Sequence, residues 1–381
     1  MANLRSPESP TELAAPKETA AVEFRCPSCG AGMQYDAERS CMACSFCGAT
    51  RPVGEAGEGQ TIAQYDLEGG LAASAERGYG ISVRRVACQQ CGAVVSYGEN
   101  ETARNCDFCG SAQVVEQSSS QKPIRPEAVV PFHIDRAAAS AAFARWLGSL
   151  WFRPSDLKRR AAVAEMTGMY VPYWCFDAGV HSDWTAQAGY YYYETEIYQA
   201  RNEQGQLVQR ERQVQRVRWV PAWGSRDDAY DDLLVCASRG LPPELSARLE
   251  PFETRELHRY TPEFLAGWRA EEYSIELNAG WRSAVSRMEQ SQASRCSSDV
   301  PGDTQRFLNV TNHFSDEKFK HILLPVWISA YRYQGQPFQF LVNGQTGEVT
   351  GRAPWSVPKI ALAVLLVLVV LLLIYSSQAH R

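Results

Sequence analysis

Two stretches of this chain repeat one cysteine pattern, and that pattern constrains the fold more than any other feature. The first reads CPSCGAGMQYDAERSCMACSFCGA and the second CQQCGAVVSYGENETARNCDFCGS, and both are C-x2-C-x14-C-x2-C. Cys26, Cys29, Cys44 and Cys47 align with Cys88, Cys91, Cys106 and Cys109. Gly30, Ala31, Tyr35, Phe46 and Gly48 match Gly92, Ala93, Tyr97, Phe108 and Gly110. Within CMACSFCG, Cys41 and Cys44 make one C-x2-C and Cys44 and Cys47 an overlapping one. The alignment resolves the overlap, because Cys41 falls on Ala103 and is the spare.

A C-x2-C pair forms a knuckle in which two thiolates converge and backbone N–H groups point at the sulfurs. Glycine after the second cysteine turns the chain at positive φ without steric cost. Four thiolates complete a closed tetrahedral shell, the mark of a structural zinc ion, and the spacer accommodates a small hairpin. Segments of about 25 residues cannot bury a core of their own. Metal binding supplies the folding free energy instead, ~10–16 kcal/mol for structural sites at neutral pH. The expected cofactors are therefore two structural Zn2+ ions. A disulfide framework fits a secreted chain, and MANLRSPESPTELAAPKETA has no apolar signal-peptide core. A thioredoxin-like redox site needs one C-x2-C in a βαβ setting, not matched sets.

Of twelve cysteines, eight lie in these patterns, which implies a reducing compartment. Cys175, Cys236 and Cys296 stand alone and read as small apolar fillers. A length of 381 residues suggests two or three domains, and the net charge of −5 gives no global nucleic-acid footprint. The repeats agree with that. Residues 22–52 set Arg25, Arg39 and Arg51 against Glu23, Asp36 and Glu38. Residues 84–116 set Arg84, Arg85 and Arg104 against Glu99, Glu101, Asp107 and Glu116, and neither segment holds a lysine. Each zinc–thiolate centre adds a further charge of about −2. Phosphate binding needs clustered Lys and Arg, so the balance favours protein contact over nucleic acid.

IALAVLLVLVVLLLI, residues 360–374, is an unbroken apolar run of about 22 Å as a helix. Extended to Trp355–Tyr375 it reaches about 31 Å, with an aromatic residue at each end. A single transmembrane helix over 355–375 is therefore expected. Arg352 and Lys359 flank one side and Arg381 the other. With the thiolate sites, this places the N-terminal bulk in the cytoplasm at the cell inner membrane.

The fold class expected is α+β: two small N-terminal four-cysteine zinc ribbons, a β-rich mixed domain and the C-terminal span. Residues 1–21 read as disordered, 22–52 as ribbon one, 53–83 as a connecting segment, 84–116 as ribbon two and 117–128 as a linker. The α+β domain occupies 129–354, the span 355–375 and a short tail 376–381. A helix is predicted after the N-cap Asp135, with Phe143, Trp146, Leu147 and Leu150 at helical spacing, and a second from Pro154 to Met166. Aromatic and alternating stretches around 169–199 and 208–223 predict strands, residues 242–295 read as mostly helical, and strands with turns at Gly335 and Asn343-Gly344 follow.

Catalytic signatures are absent: no Walker A, Rossmann, G-x-S-x-G or H-E-x-x-H motif occurs. The chain reads as a non-enzyme with no evident small-molecule substrate. His181 and Asp183 could form half of an acid–base pair, though a hydrogen-bonded surface histidine is the simpler reading. His313 and His321 have no partners visible in the sequence. Asp227, Asp228, Asp231 and Asp232 could hold a divalent cation, with a solvated loop or helix start as the default.

The segments WFRPSDL, GMYVPYWCFDA, DDLLVCAS, YTPEFLAGWRAEEY and LLPVWISAYRYQGQPFQFLVNGQTGEVTGRAPWS follow the two ribbons in order. With them the chain, from about residue 24 onward, resembles bacterial membrane-anchored TFIIB-type zinc-ribbon proteins. Such proteins are also labelled primosomal helicase-like, a label that the missing nucleotide motif does not support. The resemblance implies a component of phage-shock or membrane-stress operons: an adaptor that recruits a cytosolic protein partner to the inner membrane. A membrane-tethered nucleic-acid binder is the alternative.

Overall fold

Met169–Phe176 are buried without interruption, as in a strand covered on both faces. In the computed structural model they begin a long strand, and its side chains alternate between two cores. Tyr170 enters one apolar cluster with Phe132, Phe143, Trp327 and Phe340. Met169, Val171, Tyr173 and Cys175 enter another with Leu241, Phe252 and Leu341. The neighbouring strand behaves alike, sending Leu323 and Trp327 to the first cluster and Ile322, Leu324, Val326 and Ile328 to the second. The strand period of two distributes one run of apolar residues over both faces of the sheet.

The structure describes residues 24–37, 39–53, 62–69, 83–98, 105–116, 124–154, 166–201, 205–333 and 336–379, together with 17–18, 76–77 and 79. The expected disordered N-terminus, most of the connecting segment, residues 117–123 of the linker, the helix from Pro154 to Met166 and the turn at Gly335 lie largely or wholly outside them.

The elements used below are β1 (Gln34–Asp36), β2 (Cys41–Ala43), β3 (Thr50–Pro52), β4 (Val83–Cys88), β5 (Val94–Gly98), β6 (Val114–Glu116) and β7 (Ala128–Val129). They continue with α1 (Arg136–Ser149), β8 (Thr167–Arg201), β9 (Leu207–Cys236), α2 (Pro243–Leu249), β10 (His258–Arg259), β11 (Arg269–Glu272) and α3 (Leu277–Asp299). Last come β12 (Thr304–Tyr333), β13 (Gln336–Asn343), β14 (Val349–Gly351) and α4 (Val357–Ala379). The architecture is mixed α+β. One sheet runs β10-β7-β12-β8-β11-β5-β4-β6, with β9 also on β8 and β13-β14 on β12. A separate small sheet is β1-β2-β3.

The chain divides into two units. One holds Met1–Cys175, Leu234–Gly280 and Phe319–Arg381; the other holds Phe176–Leu233 and Trp281–Lys318. In the first, α1 starts where the sequence places it, with the Asp135 carboxylate accepting from the Ala138 N–H at 2.6 Å. In the second, Ala284, Met288, Gln292 and Cys296 form the buried stripe of α3, and Cys296 packs with Trp184 and Ala186.

Two expectations are corrected. Of residues 242–295, expected to be mostly helical, Leu277 onward is helix α3, but 242–276 is not mostly helical: α2 is short, two 3-10 turns follow, and Arg269–Glu272 forms β11. Gly267, at φ +82°, interrupts the helical pattern where Gln34 packs against it, and a Cβ there would come within 2.8 Å of that side chain.

The expected transmembrane helix is the second. Among the described residues, no helix is long and apolar enough to cross a membrane. The 31 Å estimate required Trp355 in the helix, but α4 begins at Val357, and Trp355 lies under the Arg153 guanidinium at 3.7 Å. Lys359, inside the first turn, donates to the carbonyls of Trp151 and Arg153. The unbroken apolar run of α4 covers 360–374, about 22 Å against the ~30 Å of a bilayer core. The single-span membrane partnership and the inner-membrane location expected from that helix are withdrawn with it.

Candidate metal centres

The four knuckles share one backbone design. In each, the first cysteine's carbonyl accepts from the glycine four residues on: Gly30 to Cys26, Gly48 to Cys44, Gly92 to Cys88 and Gly110 to Cys106, at 2.8–3.0 Å. The same cysteine's N–H donates to the following residue's carbonyl, Ala31, Ala49, Ala93 or Ser111, at 2.7–2.9 Å. Each turn needs positive φ, and the glycines lie at +76°, +75°, +79° and +67°.

The turns deliver the sulfurs to two points. Cys26, Cys29, Cys44 and Cys47 form one group and Cys88, Cys91, Cys106 and Cys109 the other, with the donor atoms of each within 4.8 Å of one another. The Sγ–Sγ distances are 3.5 Å for Cys26–Cys47 and 3.6 Å for Cys29–Cys44. They are 3.7 Å for Cys88–Cys109 and 3.6 Å for Cys91–Cys106. A disulfide needs ~2.05 Å, and all these cysteines are free. A tetrahedron with ~2.3 Å metal–sulfur arms has edges of about 3.8 Å. The groups therefore fit two structural metal ions. Cys41 belongs to neither, since it sits in β2 between Asp36 and Pro52.

Backbone N–H groups lower the first thiol of three knuckles, while Cys29, Cys47 and Cys109 stay raised. The Ser28 N–H, ahead of other contacts, lowers Cys26 to about 6 despite burial. The N–H groups of Cys47 and Phe46 lower Cys44. At Cys88, burial raises the thiol pKa, but the N–H groups of Cys91 and Gln90 and the neighbouring thiols outweigh it. Cys106 is pushed the other way, first by Cys91 and then by burial. A bound cation relieves this crowding of like charges.

The two groups are embedded differently. Ribbon two joins the main sheet through β5 on β11, with Ser96 opposite Ala270, Val95 opposite Glu271 and Val94 opposite Glu272. Tyr97 Oη donates to Asp107, which also accepts from Arg269 at 2.8 Å, and Arg85 pairs with buried Glu272. Phe108, on the knuckle, is fully buried beside Ala93 and Gly240. Ribbon one packs through its hairpin instead. The Tyr35 N–H donates to the Ala266 carbonyl, Trp268 Nε1 donates to the Tyr35 carbonyl, and the Tyr35 ring meets Phe264 edge-on. Its own knuckle phenylalanine, Phe46, is 85% exposed.

Among the described residues, the four aspartates of the acidic run do not form one group of cation ligands. The run lies inside β9, where alternation separates neighbours. Asp228 is held down to about 2, first by Arg226, and also pairs with Arg295. The Asp232 N–H donates to Asp177, while Asp227 faces His181 at 2.6 Å. Sequence reading missed Gly240 and Arg269, which seat ribbon two. Gly240 lies far from the cysteines in the chain and carries no motif. His321 is buried, its Nδ1 near the Ile124 carbonyl, and burial pushes it down to about 4.

No protein-family model matches the chain, and no solved structure matches it. Among curated proteins it is similar to a Bacillus subtilis (strain 168) protein named "Uncharacterized protein YdjG", 28% identical over 343 residues, 89% of this chain and 92% of that protein. None of these comparisons names a TFIIB-type group or a phage-shock setting.

Proposed function

We propose that this protein is a zinc-ribbon adaptor, in which two structural Zn2+ ions hold ribbons that dock a protein partner. The observation that carries this reading is the asymmetry between Phe46 and Phe108. The repeat places the same aromatic ring on equivalent knuckles. In ribbon two the ring is already seated within the chain. In ribbon one it projects from a turn that its metal would hold rigid, the form of a preorganised hot-spot anchor. The partner it fits is a protein surface with a small-residue pocket, like the one Gly240 and Ala93 provide for Phe108. Closed four-thiolate shells leave no open position for catalysis, so the ribbons carry no reaction in this reading. The TFIIB-type resemblance and the charge balance of the ribbons support the same assignment.

The test is affinity purification of the tagged full chain after nuclease treatment, alongside Phe46→Ala, with metal content measured by mass spectrometry. Zinc at two per chain and a stoichiometric partner that is lost from Phe46→Ala and on chelation are expected. Retained material that is lost with nuclease, or a partner indifferent to Phe46, overturns the reading.

A further inference from the structure

Along β8, from Asp177 to Ala186, buried and more exposed side chains alternate, so Ser182 points inward while His181 and Asp183 point outward. β9 and β12 flank this strand. The buried Ser182 hydroxyl donates to Asn312 at 2.7 Å, which fixes the register against β12 and brings His313 to the same outer face. From β9, Asp227 reaches that face too. Two histidines and two aspartates far apart in the chain thus meet on three adjacent strands of the second unit.

Asp183 stands between the two histidines, although the three donor atoms do not yet lie within 4.8 Å of one another. His181 Nδ1 lies 2.6 Å from Asp227, which directs the other ring nitrogen, Nε2, away from β9. That Nε2 lies 3.6 Å from one oxygen of Asp183. The second Asp183 oxygen lies 4.0 Å from His313 Nε2. The imidazoles are 6.5 Å apart and inclined by 28°. We propose that His181, Asp183 and His313 form a third metal site, distinct from the cysteine centres, for an exchangeable divalent transition-metal ion, and that Asp227 orients His181 from behind. Two histidines and one carboxylate suit such an ion and leave coordination positions open. A carboxylate on the far nitrogen of a ligating histidine fixes its tautomer and raises its basicity.

Donors around one ion at ~2.1 Å lie about 3.0–3.4 Å apart. Since the three donor atoms do not lie within 4.8 Å of one another, the two imidazoles must draw together by an ångström or more. Both rings are substantially exposed, with side-chain exposures of 43% for His181 and 65% for His313, and have room to do so.

The test is titration of the full-length protein, its cysteine centres loaded, with Zn2+ at neutral pH, reading heat of binding and metal per chain. One Zn2+ beyond the cysteine-bound metal is expected in the wild type. His181→Ala and His313→Ala should each abolish that event, with the cysteine-bound metal and the circular dichroism spectrum unchanged. Asp227→Asn should weaken it by about 10–100-fold, the usual cost of losing such a partner. Absence of an additional Zn2+ in the wild type overturns the site, as does an additional Zn2+ that both histidine variants retain. Loss in the histidine variants with full affinity in Asp227→Asn supports the three ligands and overturns the role given to Asp227.

Discussion

Phe108 lies against Gly240 so closely that a Cβ on the glycine would come within 2.7 Å of the ring. The missing side chain makes the seat in which the knuckle of ribbon two is buried. Gly240→Ala should therefore destabilise the fold by about 1–3 kcal/mol, the usual cost of overpacking a filled core. Denaturant unfolding reads this directly. In the Phe108→Leu background the penalty should shrink, because the two sites share one contact. Equal penalties in both backgrounds would mean that the strain lies elsewhere.

Phe46→Ala makes the contrasting case. Its ring is exposed, and surface substitutions of this kind stay within about ±0.5 kcal/mol. Unfolding should hardly change, although partner capture is lost. A large destabilisation would show that Phe46 packs within the chain and would remove the basis for calling it an anchor.

The cysteines separate by geometry as well. Cys88→Ser breaks one closed four-thiolate group, so metal content should fall from two per chain to one. Cys41→Ser leaves both groups intact and should keep two. Metal analysis of the purified variants decides this, and a drop in Cys41→Ser would make the spare cysteine a ligand.

The cysteine spacing made the metal groups legible because a knuckle is local: turn, glycine and sulfur all lie within a few residues. The Asp135 cap of α1 was legible for the same reason. Seating the ribbons was not legible, since Gly240 and Arg269 meet Phe108 and Asp107 only once β11 pairs with β5. The sequence offers His181 only its neighbour Asp183 and gives His313 no visible partner, because three strands must align before the two histidines approach. The apolar run at 360–374 misled in the opposite way. Hydropathy counted Trp355 as the start of a span, whereas its packing against Arg153 places it before the helix.

Glu271 gives a pH test of the core. It is fully buried on β11, with one carboxylate oxygen accepting from the Ser238 hydroxyl at 2.6 Å. The other oxygen has no hydrogen-bond partner among the described residues. Burial pushes its pKa up to about 8, from an ordinary value of 4.5. Between those values the folded chain holds a proton that the unfolded chain has lost. Stability attributable to Glu271 is then complete below about pH 4.5 and declines as pH rises toward 8, by up to ~1.4 kcal/mol per unit. Thiolate metal binding strengthens with pH and runs the other way, so the wild-type profile mixes the two. Subtraction isolates the carboxylate. Glu271→Gln keeps an acceptor for Ser238 and removes the titration, so its stability relative to wild type should climb from pH 5 to pH 8 in denaturant unfolding. A difference that stays flat over that range would mean that Glu271 is already ionised in the folded protein, with a buried partner for its second oxygen.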